Sequence, residues 1–193
     1  NLAEVEWIEP QPRYTILNDN ASVIIEAPTI WNTYGLNGSG QIVAVADTGI
    51  DTGVDSNTTT GDIHLDFDNR IAAIYNWYGA GANDTNGHGT HVAGSIFGNG
   101  NRSNGQFKGM AFGAQLVFQA AGDDAGTTNL PGIPTDLHDL YIQAYNKSAR
   151  IHSNSWGESS QVYGDDPRNT DDFIWNYSNM VILFAAGNSG GGN

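Results

Sequence analysis

Gln41-Ile42-Val43-Ala44-Val45-Ala46-Asp47-Thr48-Gly49 runs from a short apolar stretch straight into an acidic side chain, a hydroxyl and a glycine. The apolar part has no polar face and is rich in β-branched residues, as a strand covered on both sides requires. Segments 114–119, 150–154 and 180–185 read the same way, and 70–77 is the expected fifth strand. The stretches between them have helical or turn character, so the expected fold is α/β around a mainly parallel sheet. Residues 135–147 place Leu137, Leu140, Tyr141 and Ala144 at spacings of three and four. That is a surface helix, with Thr135 as its expected N-cap and Asp136 near its positive end. His88–Phe97 reads as a second helix, buried along Val92, Ala93 and Ile96, and 171–177 as a third.

Polar motifs gather at the ends of these strands. Asp47 follows the first, Ser155-Trp156-Gly157 the third, and Gly187-Asn188 the fourth. Open parallel sheets bind ligands beyond the carboxyl ends of their strands, so one sheet edge is the expected site. Taken singly, each motif has a plain alternative. Asp-Thr-Gly after a strand is a common turn, and Ala185-Ala186-Gly187-Asn188-Ser189-Gly190 could be another. His88 and His91 have the spacing of a metal pair. No third ligand is evident nearby and no Glu stands between them, which argues against zinc. Trp156 could be core filler.

Length and charge narrow the class. The 193 residues show no internal repeat or low-complexity linker and read as one unit. Seven Lys+Arg against 21 Asp+Glu leave a net charge of −14, which argues against nucleic acid or an anionic membrane as partner. No apolar run reaches membrane-spanning length. The absence of cysteine removes disulfides and thiolate chemistry and leaves the redox compartment open.

Val45-Ala46-Asp47-Thr48-Gly49-Ile50-Asp51, Asn86-Gly87-His88-Gly89-Thr90-His91-Val92-Ala93-Gly94 and the Asn188 segment, in that chain order, resemble the subtilisin family. The resemblance runs from about Asn18 to the end. It implies a three-layer α/β domain that hydrolyses peptide bonds through an acyl-enzyme. A hydroxyl attacks well only when an imidazole takes its proton and an anion steadies that imidazole, roles that fall to His88 and Asp47. Asn188 would donate to the oxygen that becomes negative. Ser155-Trp156-Gly157 matches the segment whose backbone lines the pocket for the side chain before the scissile bond, with Trp156 departing from the commonest residue there. Leu36-Asn37-Gly38-Ser39-Gly40 together with Ser153-Asn154-Ser155-Trp156-Gly157 is similar to the larger, oxidation-tolerant alkaline branch.

The nucleophile is the gap. The family's Gly-Thr-Ser-Met-Ala type segment does not occur in these 193 residues. The reading is therefore the N-terminal part of a secreted endopeptidase, with polypeptide substrates and a C-terminal remainder carrying the serine as partners. A sheet stopping after Ala185 would leave an apolar face and an unpaired edge. Residues 1–17 resemble the close of a propeptide, or form a simple arm, ahead of the domain at 18–193. Calcium is the cofactor the resemblance implies, with oxygen-rich candidates in 51–68, 99–104 and 165–172 and a solvated acidic surface as the alternative. Two rival functions stand beside this one: a catalytically dead binding protein and a calcium-dependent structural module.

Overall fold

Five parallel strands form one sheet in the computed structural model, which describes residues 18–55, 62–67, 69–158 and 162–188. The 1–17 segment, part of 51–68 and the Ser189-Gly190 end of the third motif lie outside the described residues. The strands are β1 (Ile42–Asp47), β2 (Ile71–Asn76), β3 (Gln115–Ala120), β4 (Ile151–Asn154) and β5 (Val181–Phe184). Each lies within one residue of its expected segment. Their spatial order is β2-β3-β1-β4-β5.

The alternation of side chains along a strand sorts the core into two faces. Val45, Leu116 and Phe118 point toward Ala93 and Phe97 of α3 (His88–Phe97), with Val92 and Ile96 packed at the margin. Ala44, Ala46 and Val117 point the other way. They meet Leu137, Leu140, Tyr141 and Ala144 of α4 (Leu137–Asn146) and Phe173 of α5 (Asp165–Asn176). Helices thus cover both faces, giving three layers. Full burial of one Leu or Phe side chain contributes about 1.5–3 kcal/mol, so Leu137, Leu140 and Phe173 fix α4 and α5 on their face.

Two helix boundaries differ from expectation. The N-cap of α4 is Asp136, not Thr135: its Oδ1 accepts the His138 N–H at 3.0 Å, and its backbone is extended where the helix begins. A carboxylate there also meets the positive end of the helix dipole. Helix α5 starts at Asp165, a turn and a half before residue 171. Its first half is polar, with Asp165 and Asp166 in the first turn, so apolar spacing gave no sign of it. Two helices, α1 (Asn18–Ile24) and α2 (Ala27–Tyr34), had no sequence expectation. A tertiary contact holds α2: Trp31 Nε1 donates to Met110 O at 3.0 Å, and its ring meets the Phe112 ring edge-on at 5.2 Å.

Topology places the site. The chain leaves β1 toward β2 on one side of the sheet and leaves β4 toward β5 on the other. Adjacent strands whose outgoing connections diverge open a crevice beyond their carboxyl ends. That pair is β1 and β4, carrying Asp47 and the 155–157 segment. At the far edge, Val181, Leu183 and Phe184 of β5 are 51 %, 51 % and 43 % exposed. Among the described residues no helix is long and apolar enough to cross a membrane.

One polar chain runs through the core. His152 is fully buried, and its Nε2 donates to Gln119 Oε1 at 2.9 Å. Gln119 Nε2 in turn donates to Leu140 O and to Gln143 Oε1, and Gln143 Oε1 also accepts from Trp77 Nε1. Burial pushes the His152 pKa down to about 3. The unfolded chain binds this proton near pH 6.5 and the folded chain does not. The stability is therefore intact above pH 6.5 and lost as pH falls from there toward 3. His152 should cost the full-length protein about 3 kcal/mol between pH 6.5 and pH 4. In denaturant titrations across that range, His152→Gln, which keeps a donor for Gln119, should flatten the pH slope by about one proton. Equal slopes in the two proteins would contradict the assignment.

Candidate active site

The side chains at the β1–β4 crevice start from one buried carboxylate. Asp47, the last residue of β1, is 1 % exposed. Its Oδ1 accepts the Thr48 N–H at 2.7 Å and lies 2.7 Å from His88 Nδ1. A carboxylate can only accept, so the neutral imidazole donates through Nδ1 and its lone pair is on Nε2. The ring is half exposed, which leaves Nε2 free to meet a ligand. An imidazole held in this tautomer can take a proton from a hydroxyl or a water, and the buried carboxylate stabilises the imidazolium that results.

His88 opens α3, and the start of that helix is built to press against the end of β1. A Cβ on Gly89 would collide with Gly49 O and come 3.1 Å from Asp47 Cβ, so only glycine permits the approach. The first N–H groups of a helix have no partner within it. Here each has a side chain. Gly87 N donates to Asp84 Oδ1 and Thr90 N to Asp84 Oδ2, both at 2.8 Å. His88 N donates to Asn86 Oδ1 at 3.2 Å, and Gly89 N to Thr48 Oγ1 at 2.9 Å. Asp84 also accepts the hydroxyls of Thr48 (2.8 Å) and Thr90 (2.5 Å). Its carboxylate thus accepts four bonds and joins the turn after Asp47 to the helix that carries His88.

Sequence reading did not find Asp84, Thr48 or Asn86. A signal was present: Asp84-Thr85-Asn86-Gly87 is a cluster of cap and turn residues directly ahead of a helix.

The other expected residues reach the same sheet edge by separate routes. Ser155 and Gly157 continue from β4 past the last β1–β4 pair, Ala46↔Asn154, with Ser155 half-buried and Gly157 exposed. The Trp156 side chain turns inward instead. Its Nε1 donates to Ala46 O at 3.0 Å, and its ring packs with the Leu137–Phe173 cluster. Asn188 follows β5 and is exposed, and no hydrogen bond joins it to Asp47 or His88 among the described residues. His91 is exposed on α3, beside an apolar groove lined by Trp31, Phe107 and Met110.

No group of three or more His, Cys, Asp or Glu side chains converges as a metal donor set among the described residues. Asn99 Oδ1 and Asp66 Oδ1 already accept from Asn101 N and Arg102 N.

Comparison with known proteins agrees with this geometry. Residues 38–193 match the subtilase family, peptidase S8. The chain is 35% identical over 167 residues to the serine protease/ABC transporter B family protein tagD of Dictyostelium discoideum, covering 80% of this chain and 9% of that protein. It is 31% identical to the major intracellular serine protease of Bacillus subtilis, over 88% of this chain and 49% of the relative. Among solved structures, the Clostridium perfringens CspB protease superposes with a TM-score of 0.61 at 23% identity, over 91% of this chain and 41% of that one. A psychrophilic protease, S41, gives 0.58 at 27%, over 86% and 53%. The chain thus spans about a tenth of the Dictyostelium protein and half or less of the Bacillus one.

Removing the Asp84 carboxylate leaves the partly buried Thr90 N–H, the exposed Gly87 N–H and two hydroxyls without their acceptor. Asp84→Ala should lower the unfolding free energy of the full-length protein by about 1–3 kcal/mol, read as a lower urea midpoint at unchanged slope. A loss below about 0.5 kcal/mol, the range of ordinary surface changes, would refute its role as the joint.

Proposed function

The chain belongs to the subtilase family, and on that premise we propose that it is the N-terminal part of a serine endopeptidase. The observation that carries the proposal is the 2.7 Å bond between buried Asp47 and half-exposed His88 at the mouth of the β1–β4 crevice. His88 Nε2 takes the proton of a serine hydroxyl as its oxygen attacks the peptide carbonyl. Asp47 holds the imidazolium, which then returns the proton to the departing amine and leaves an acyl-enzyme. Water reverses the sequence. Asn188 supplies one donor to the tetrahedral oxygen, at the end of the strand next but one to β1. The 155–157 segment, running on beyond the ladder, pairs with the substrate backbone as an added strand.

The attacking serine is assigned to polypeptide beyond Asn193. Its family segment is not among residues 1–193, and this chain covers 33% to 49% of several microbial relatives. The half-exposed Val181, Leu183 and Phe184 at the β5 edge are what further polypeptide of the same protein would cover.

The full-length protein provides the test. It should hydrolyse a chromogenic peptide anilide, and a fluorophosphonate should label one serine, mapped by peptide mass to a position after residue 193. His88→Ala should cut turnover by several orders of magnitude, and Asn188→Ala by roughly a hundredfold with KM little changed. Label on a serine within residues 1–193, or His88→Ala with normal turnover, would defeat the proposal.

A further inference from the structure

Trp156 touches the ends of all three strands bearing the expected site residues. It belongs to the segment that continues β4. Its indole N–H bonds Ala46 O, the residue before Asp47 in β1, at 3.0 Å. Its ring meets Phe184, the last residue of β5, edge-on at 5.3 Å and 86°. Phe184 is followed by Ala185-Ala186-Gly187-Asn188. The backbone pairing of β1 with β4 ends at Ala46↔Asn154, so the indole crosses the crevice where the ladder has stopped.

From this geometry we infer that Trp156 is a positioning residue for peptide hydrolysis, setting the Asp47–His88 pair and the Asn188 turn against the substrate-pairing segment 155–157. The inference rests on the endopeptidase reading above and adds a role that reading does not need. The ring itself packs against the α4/α5-side core. What it controls is registration. Substrate pairs with the backbone of 155–157 whether or not β1 is correctly placed, so ground-state binding is insensitive to the tether. Attack requires the base, the oxyanion donor and the scissile carbonyl to be placed together, and misplacement of about 1 Å can cost two orders of magnitude in rate. The tether is therefore expected in kcat and not in KM.

Trp156→Phe tests this in the full-length protease, since it keeps an aromatic ring against Phe184 and the core while deleting the N–H. Steady-state kinetics on a peptide anilide, at a temperature where both proteins are fully folded, should show kcat about tenfold lower with KM within twofold. Amide exchange should be at least fivefold faster at Asp47-Thr48, with Val43 to Val45 and 155–157 unchanged. Trp156→Leu, which loses ring and N–H together, should lower kcat further. Wild-type kcat in Trp156→Phe, or a loss carried by KM, overturns the inference. Failure of the endopeptidase reading would appear separately, as a wild-type protein without turnover. The exchange pattern then decides alone, and unchanged exchange at Asp47-Thr48 overturns the tether.

Discussion

A carboxylate buried to 1 % exposure at the end of a central strand is a costly group, and the bond from Asp47 to His88 is the constraint around which the β1–β4 crevice is arranged. Desolvating a charge is tolerated only where hydrogen bonds replace water. Asp47 Oδ1 has two such partners, the Thr48 N–H and the His88 ring. The ring sits at a helix N-terminus, where the dipole disfavours positive charge, so the imidazolium needs the carboxylate as much as the carboxylate needs a donor. The pair is stable only if strand end and helix start are held within one bond length of each other.

Two devices hold them. Glycine at 89 removes the side chain that would keep α3 off the end of β1, glycine at 49 lets the Asn83-Asp84 backbone approach, and Asp84 binds both sides through four acceptor contacts. Across the crevice, Trp156 joins β1 to the continuation of β4 and to the end of β5. The sheet supplies the rest. Opposite chain directions after β1 and β4 open the crevice, and helices on both faces leave the carboxyl edge as the place where polar groups can gather.

Strands such as β1 and β5 were legible because a parallel sheet covered on both faces demands apolar, β-branched runs, whereas β4, Ile151-His152-Ser153-Asn154, carries a single apolar residue. Both bounds of α3 were legible for a different reason, the glycines and histidine that mark its start, whereas of the expected buried residues Val92, Ala93 and Ile96 only Ala93 is buried, with Phe97 taking the other core position. What stayed hidden depends on contacts distant in sequence. Helix α2 is held by Trp31 on Met110 and Phe112, about eighty residues away, and Pro28 at its start and Gly35 at its C-cap are the only local marks among its described residues. The choice of Asp136 over Thr135 as cap turned on one residue of backbone conformation, below the resolution of a periodic pattern. Asp47, Ser155 and Asn188 could be placed on one sheet edge from strand ends alone. Asp84 could not, because its importance lies in meeting Thr48 from across a loop.

The account turns on which nitrogen of His88 carries the proton. Nitrogen-15 NMR of the full-length protein, with labelled histidine and at a pH where His88 is neutral, reads this directly. The geometry predicts the proton on Nδ1, shared with Asp47, and a bare Nε2 facing the crevice. The same spectrum of Asp47→Asn should show that preference lost. A neutral His88 protonated on Nε2 in the wild-type protein would contradict the account.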